Sequence, residues 1–323
     1  MTATNIRVLG TDVSKWQDSN YTPGKKIDFD KMKSQGVKFV FIKACQNLTK
    51  DEDFDDYWKA SKDSGLMRGA YSFYEYRPAF QKSPKDQADF FLDVMSGDFG
   101  ELGLALDYEK PNSTWPPLPA VNVSLSNIFT FMYTVEQQTK EDTIFYSNLD
   151  FIKNYLGYNK IPLWLAQKPL WLAMYPFAIF DFFPPLNFLL PNFPWKIKFW
   201  QFTDRLNGNK YGAESSQIDG NFWLGTEEEL NSFRNRDSIV YLPVITNPPE
   251  EEEVKKIKVV ANSLRIRTSP AVNSSNFTGK YLYLGDEPEN LEETTDGINT
   301  WVRIGWKQWA AKKYGGITYM IDV

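Results

Sequence analysis

Between residues 8 and 223, short apolar runs of strand length alternate with longer amphipathic stretches, and this alternation restricts the fold more than any other feature of the chain. It is the pattern of an α/β domain built on a mostly parallel sheet. Strands are predicted near 7–12, 37–44, 68–74, 102–108, 143–146, 162–166 and 197–202. Helices fit between them at Phe29–Gln35, Asp53–Ser64, Ser83–Ser96, Ser124–Lys140 and Leu149–Leu156. Asp28 is placed to cap the first, Gly65 to end the second, and Pro84 stands in the first turn of the third. The spacing is that of a barrel more than of a two-layer sandwich.

One strand ends in acid. In Glu101-Leu102-Gly103-Leu104-Ala105-Leu106-Asp107-Tyr108-Glu109, residues two apart share a face, about 6.5–7 Å apart at Cα. Gly103, Ala105, Asp107 and Glu109 then face the barrel interior and its mouth, and Leu102, Leu104, Leu106 and Tyr108 pack outward under helices. A lone D-x-E matches by chance more often than by function. Here a second acid, Asp12, ends the first strand, and a third, Asp219, follows the last, in Gln217-Ile218-Asp219-Gly220-Asn221-Phe222-Trp223. Barrel strands converge at one mouth, so all four carboxylates can share a cleft. Paired acids at a strand end suit glycosidic bond cleavage.

Composition removes most competitors. The chain has 323 residues and no histidine, which excludes Ser/His/Asp and Cys/His triads and every His-containing zinc site. Carboxylate chemistry needs neither metal nor organic cofactor, and none is indicated. The single cysteine, Cys45, lies in an apolar run and reads as a buried, inert thiol. Aromatic residues make up 16% of the chain, which favours sugar or polymer binding. The net charge of −5 without a basic stripe argues against nucleic acid.

After Phe233 the character changes. Pro243, Pro248 and Pro249 precede four consecutive Glu at 250–253, so residues 239–253 read as a linker after a catalytic barrel spanning 1–238. Residues 254–323 read as a small all-β domain, with strands at Lys258–Ala261, Ser263–Arg267, Lys280–Leu284, Trp301–Ile304 and Ile317–Tyr319. Its Ser263–Pro270 run, with Thr278-Gly279-Lys280 and Trp301-Val302-Arg303-Ile304, resembles bacterial SH3-like domains, which implies cell-wall binding. The segment from Met1 to Leu9 has no apolar stretch of signal-peptide length.

Several blocks together resemble the glycoside hydrolase family 25 lysozymes, which cleave peptidoglycan between N-acetylmuramic acid and N-acetylglucosamine. They are Gly10–Gln17, Gly36–Ala44, Gly69–Phe73, Leu106–Glu109, Ile144–Asn148, Leu-Trp-Leu-Ala at either 163–166 or 170–173, and Phe199–Phe202 leading to Ile218-Asp219. The resemblance implies an irregular TIM-like barrel of about eight strands and five helices. It implies Glu109 as general acid, Asp107 as its partner, and Asp12 and Asp219 completing the acidic floor. Tyr71, Tyr146, and Trp164 or Trp171 match the family's cleft aromatics, with Trp200 a weaker candidate. The alternatives are a glycan-binding module without turnover and another carbohydrase, such as a chitinase, on a similar barrel. Whether water or the substrate's acetamide attacks first is left open, with a lean to the acetamide. The family often carries a histidine where this chain has Ser72 and a glutamate where it has Gln46. The whole resembles a phage endolysin, kept in the host cytoplasm until a holin opens the membrane and then acting on the wall.

The stretch 169–195 is rich in Trp and Phe, with Asp181 its one acid and Lys absent until 196. It is long enough to span a bilayer, yet Pro176, Pro184, Pro185, Pro191 and Pro194 would break a helix. It is expected to pack over the barrel or line the cleft; membrane contact or dimerisation is the less favoured reading.

Overall fold

The computed structural model describes residues 7–18, 26–110, 115–157, 160–192, 195–233, 256–273, 275–288, 290, 292–305 and 308–323. The proposed linker lies outside them. The chain divides into two compact units, Met1–Trp115 with Asn127–Val244, and Pro116–Ser126 with Ile245–Val323.

In the first unit, nine strands form one sheet: β1 (Val8–Val13), β2 (Phe39–Gln46), β3 (Thr49–Lys50), β4 (Met67–Phe73), β5 (Gly103–Asp107), β6 (Ile144–Asn148), β7 (Leu170–Ala173), β8 (Ile197–Asn207) and β9 (Gln217–Trp223). Their order is β1-β9-β8-β7-β6-β5-β4-β2-β3, and β1 also pairs with β2, so eight strands close into a ring and β3 hangs from β2 as a hairpin. From β1 through β2 and on from β4 to β8 the pairing is parallel; β9 runs antiparallel to both neighbours and closes the barrel. The expected mixed α/β barrel is therefore present.

Outside the ring run α1 (Phe29–Ser34), α2 (Phe54–Asp63), α3 (Pro84–Met95), the part of α4 (Val121–Thr139) from Asn127 on, α5 (Leu163–Ala166) and α6 (Glu227–Asn231). Asp28 caps α1 through the Lys31 amide, and Pro84 opens α3 behind a Ser83 cap. The interior is filled by rings. Phe39 and Phe41 meet Phe199 at 5.4 and 5.0 Å, and Phe41 stacks on Trp171 at 4.3 Å. These rings need glycine opposite them: a Cβ on Gly10 would lie 2.3 Å from Phe39, and one on Gly69 would lie 2.2 Å from Phe41.

Two expectations change. The predicted strand at 162–166 is α5, and the barrel strand is the second copy of the same tetrapeptide, 170–173. Identical residues take different structures because tertiary setting outweighs propensity. Pro169 stops the helix, and the second copy is fully buried, as a parallel barrel strand must be, while Leu163 in the first is 67% exposed. The second change is Leu102, expected outside, which joins the interior cluster. Gly103 has φ 84°, so regular alternation starts only after it.

Among its described residues, the aromatic stretch beyond β7 forms no helix. Phe183 packs on Phe202 and Phe222, and Phe188 stacks on Trp200 at 5.5 Å, covering the outer face of β8 and β9. Arg7 fastens this cover by donating to the carbonyls of Pro184, Pro185, Leu186 and Phe188 at 3.1–3.4 Å, with its guanidinium over Trp200. Among the described residues no helix is long and apolar enough to cross a membrane.

The second unit holds antiparallel sheets: β10 (Ile257–Val259) pairs with β17 (Met320–Asp322), and β11 (Ser263–Arg267), β12 (Phe277–Tyr283), β13 (Glu292–Thr295), β14 (Thr300–Gly305), β15 (Gln308–Tyr314) and β16 (Ile317–Thr318) form a six-stranded sheet. Trp301, Val302, Leu264 and Met320 lie in its core.

Candidate active site

All four acids stand at one end of the ring. Asp12, on β1, lies in register opposite Asp219 on β9, and Asp107 ends β5 with Glu109 two residues on. Asp12 and Asp107 are each 6% exposed, and Glu109 and Asp219 are half-buried.

Amides and phenols hold the cluster. Asp12 Oδ2 accepts from Gln201 Nε2 and Asn221 Nδ2, both at 2.7 Å. Gln201 Oε1 in turn accepts from the hydroxyls of Tyr146 at 2.8 Å and Tyr175 at 2.5 Å, and Asn221 Oδ1 accepts from Trp171 Nε1 at 2.7 Å. Each amide is thereby oriented with its NH2 toward Asp12. Asn148 Nδ2 donates to Glu109 Oε2 at 3.1 Å. The buried Oδ1 of Asp107 has no hydrogen-bond partner among the described residues.

Burial raises every carboxyl pKa here, and repulsion between the acids adds to the rise at Asp12, Asp107 and Asp219. Burial pushes Asp12 up to about 6, against the two amide donors, and the Glu109 charge adds to the rise. Asp107 is raised well above the usual range by burial and then by Glu109, with the Lys43 ammonium opposing. Asp219 is raised by burial and by Asp12. Glu109 is raised by burial alone, and the Asn148 donation holds it back. Such a cluster retains protons at pH values where free carboxyls have lost them, so it can act as an acid.

The aromatic candidates separate. Tyr71, Tyr146 and Trp171 meet beneath the acids, with Trp171 at 6.0 and 4.6 Å from the two tyrosine rings. Trp171 is 1% exposed, so it orients Asn221 and offers no face to a sugar. Trp164 lies on α5 with its edge against Phe129 of α4 at 5.1 Å, in the outer layer and away from the mouth. Trp200 also points outward, because Phe199 and Gln201 on either side of it face in; its Nε1 donates to the Met174 carbonyl. Neither Trp164 nor Trp200 belongs to the site.

Sequence reasoning missed Asn148, Gln201, Asn221, Tyr175 and Lys43. Strand parity would have found four of them: each lies two residues beyond an inward side chain, Tyr146, Phe199, Asp219 or Phe41. Tyr175 gave no such signal, since it lies past the end of β7. The two departures from the family pattern resolve differently. Ser72 turns away from the mouth and accepts from Cys45 Sγ, whose thiol is pushed up to about 12 by burial, whereas Gln46 lies beside the mouth and accepts from Lys43. Among the described residues no group of three or more His, Cys, Asp or Glu side chains could hold a metal ion.

A closed eight-stranded barrel with acids gathered at one end defines a glycosidase-type site. The family model for glycosyl hydrolases family 25 matches residues 11–210, and the chain belongs to that family. It is 30% identical over 234 residues to the uncharacterized protein YegX of Escherichia coli O157:H7, covering 70% of this chain and 73% of that one. Lysozyme M1 of Streptomyces globisporus is 27% identical over 243 residues, 71% of each. Among solved structures, the muramidase from Acremonium alcalophilum superposes with a TM-score of 0.54 at 26% identity, covering 71% of this chain and 100% of that one. The chain is thus a glycoside hydrolase.

Proposed function

We propose that this enzyme is a muramidase that hydrolyses the β-1,4 bond between N-acetylmuramic acid and N-acetylglucosamine in peptidoglycan. The observation that carries this reading is the pairing of Glu109, half-buried and held by Asn148, with Asp107, whose inner oxygen lacks a donor. Glu109 gives its proton to the leaving glycosidic oxygen. The 2-acetamido carbonyl attacks the anomeric carbon, and the resulting oxazolinium N–H donates to Asp107 Oδ1, satisfying it. Water then opens the ring at the anomeric carbon, returning a proton to Glu109 and restoring the acetamide with net retention. Negative charge on the neighbouring acids stabilises the oxocarbenium-like transition states.

The antiparallel C-terminal unit is read as an SH3-like wall-binding module, tethering the barrel to its polymer and raising local substrate concentration. The whole is read as a phage-type endolysin that reaches the wall at lysis.

The test is digestion of purified walls, borohydride reduction and mass spectrometry of the new ends. Muramitol ends are expected, with release falling by about 10²–10⁴ in Glu109→Gln. Glucosaminitol ends would overturn the bond assignment, and no new ends would leave only glycan binding.

A further inference from the structure

A second feature of the barrel mouth takes no part in the chemistry above. Beside the acids lies a cavity of about 300 Å³, formed at the ends of β2 and β3 and the turn after β4. Its charged lining is Lys15, Lys43, Lys50 and Arg77 against Asp51 and Glu75; Lys15 and Lys50 also pair with the exposed Glu52 and Asp55 outside the lining, at 3.4 and 2.5 Å.

Both lining carboxylates are already engaged. Glu75 accepts from Arg77 through Nε at 2.8 Å and Nη2 at 2.6 Å, and Asp51 accepts from the backbone amides of Lys15 and Asp53 at 3.2 Å. Lys43 makes no ion pair within 4 Å among the described residues; its ammonium donates to Gln46 Oε1 at 3.1 Å. Gln46 is itself tied to Glu75. An ammonium has three donors, so Lys43 keeps capacity for an incoming acceptor. It is also the link between cavity and catalysis, since its positive charge acts on Asp107.

We infer that this cavity is a carboxylate-binding subsite for the anionic arm of muramic acid, holding the lactyl-peptide branch while the sugar that bears it lies over Glu109 and Asp107. The inference rests on the muramidase reading and deepens it. A glucosamine unit has no charged arm to place there, so the basic cavity beside an acidic cleft sorts the two alternating sugars and fixes which of them occupies the reacting position. The volume equals about ten water shares of ~30 Å³, room for a lactyl group with a short acidic peptide. The carboxylate can come from the lactyl group of a peptide-free strand or from the stem peptide.

The experiment uses the full chain carrying Glu109→Gln, titrated calorimetrically with a disaccharide bearing a lactyl group and an acidic dipeptide, with its peptide-free counterpart, and with both after their carboxylates are converted to amides. Amidation should weaken binding about tenfold, the scale of one charge-assisted hydrogen bond. The ligand form that shows this loss identifies the carboxylate being read. Adding Lys43→Gln should shrink the difference to less than threefold, and so should high salt. Equal binding of acid and amide forms by the unsubstituted cavity, or a preference that survives the Lys43 substitution, overturns the subsite. Because the readout is binding by a chain lacking its acid, that failure is separate from failure of the muramidase reading, which shows as absent muramitol ends.

Discussion

Asp12 and Asp219 face each other directly across the antiparallel pair of β1 and β9. Cross-strand partners share a face with Cβ atoms about 4.5–5.5 Å apart, and like charges so placed repel. Burial raises both pKa values, with the Glu109 charge adding to Asp12 and the Asp12 charge adding to Asp219, and this gives the barrel a specific dependence on pH. Asp12 has its ordinary pKa of 3.8 when unfolded and about 6 when folded, so the native state binds more protons between those values. Stability therefore falls as pH rises through that window, by on the order of 3 kcal/mol for this group. Asp219→Asn should raise the melting temperature of the barrel transition at pH 7 by several degrees, at about 2–4 °C per kcal/mol, and leave it unchanged at pH 3.5. Calorimetry across pH 3.5–8 checks this; parallel curves for the two proteins would refute the repulsion.

Asn148 donates to Glu109 and favours its ionised form. Asn148→Ala should therefore raise the Glu109 pKa and move the alkaline limb of the kcat–pH profile upward. A limb that stays in place, or moves down, would show that Asn148 does not set the acid.

Two of the buried tryptophans, Trp171 and Trp200, predict opposite outcomes. Trp171→Phe removes the donor that fixes Asn221, loosening one of the two amides on Asp12, and should lower kcat/KM by about tenfold, the scale of one neutral hydrogen bond in a buried network. Trp200→Phe lies on the outer face and should leave kcat/KM within twofold while lowering the melting temperature. Steady-state kinetics on solubilised glycan compares them.

Arg7→Ala removes donors to four carbonyls of the aromatic cover and a cation over Trp200. The expected cost is about 1–3 kcal/mol, with faster amide exchange confined to residues 177–190 and to the outer face of β8. Exchange measured by mass spectrometry checks it, and unaltered protection would mean that the Phe183 and Phe188 packing alone holds the segment.

The barrel was legible because its signal is local: apolar runs of strand length, caps such as Asp28 and breakers such as Pro84 act within a few residues. The acids were legible because strand parity carries Asp107 and Glu109 to one mouth. What sequence could not decide was choice between equals. The two Leu-Trp-Leu-Ala copies have the same propensities, and only the ring's demand for one more buried strand selects 170–173. The role of Trp200 failed for a related reason: its family block was read without the in-out alternation that makes Phe199 and Gln201 its inward neighbours. Tyr175 reaches Gln201 from a loop, where no periodicity announces direction.

The absence of histidine has a practical consequence once the fold is known. An unfolded chain of this composition has almost nothing that titrates between about pH 5 and pH 7, since carboxyls lie below and the α-amino group above. Protons taken up on refolding in that interval come from carboxyls displaced by the fold, Asp12, Asp107, Glu109 and Asp219 among them. A simple acid–base titration, native against denatured, thus counts the carboxyls that burial displaces, Asp18, Asp51 and Glu136 together with the reaction centre, without any label or substrate.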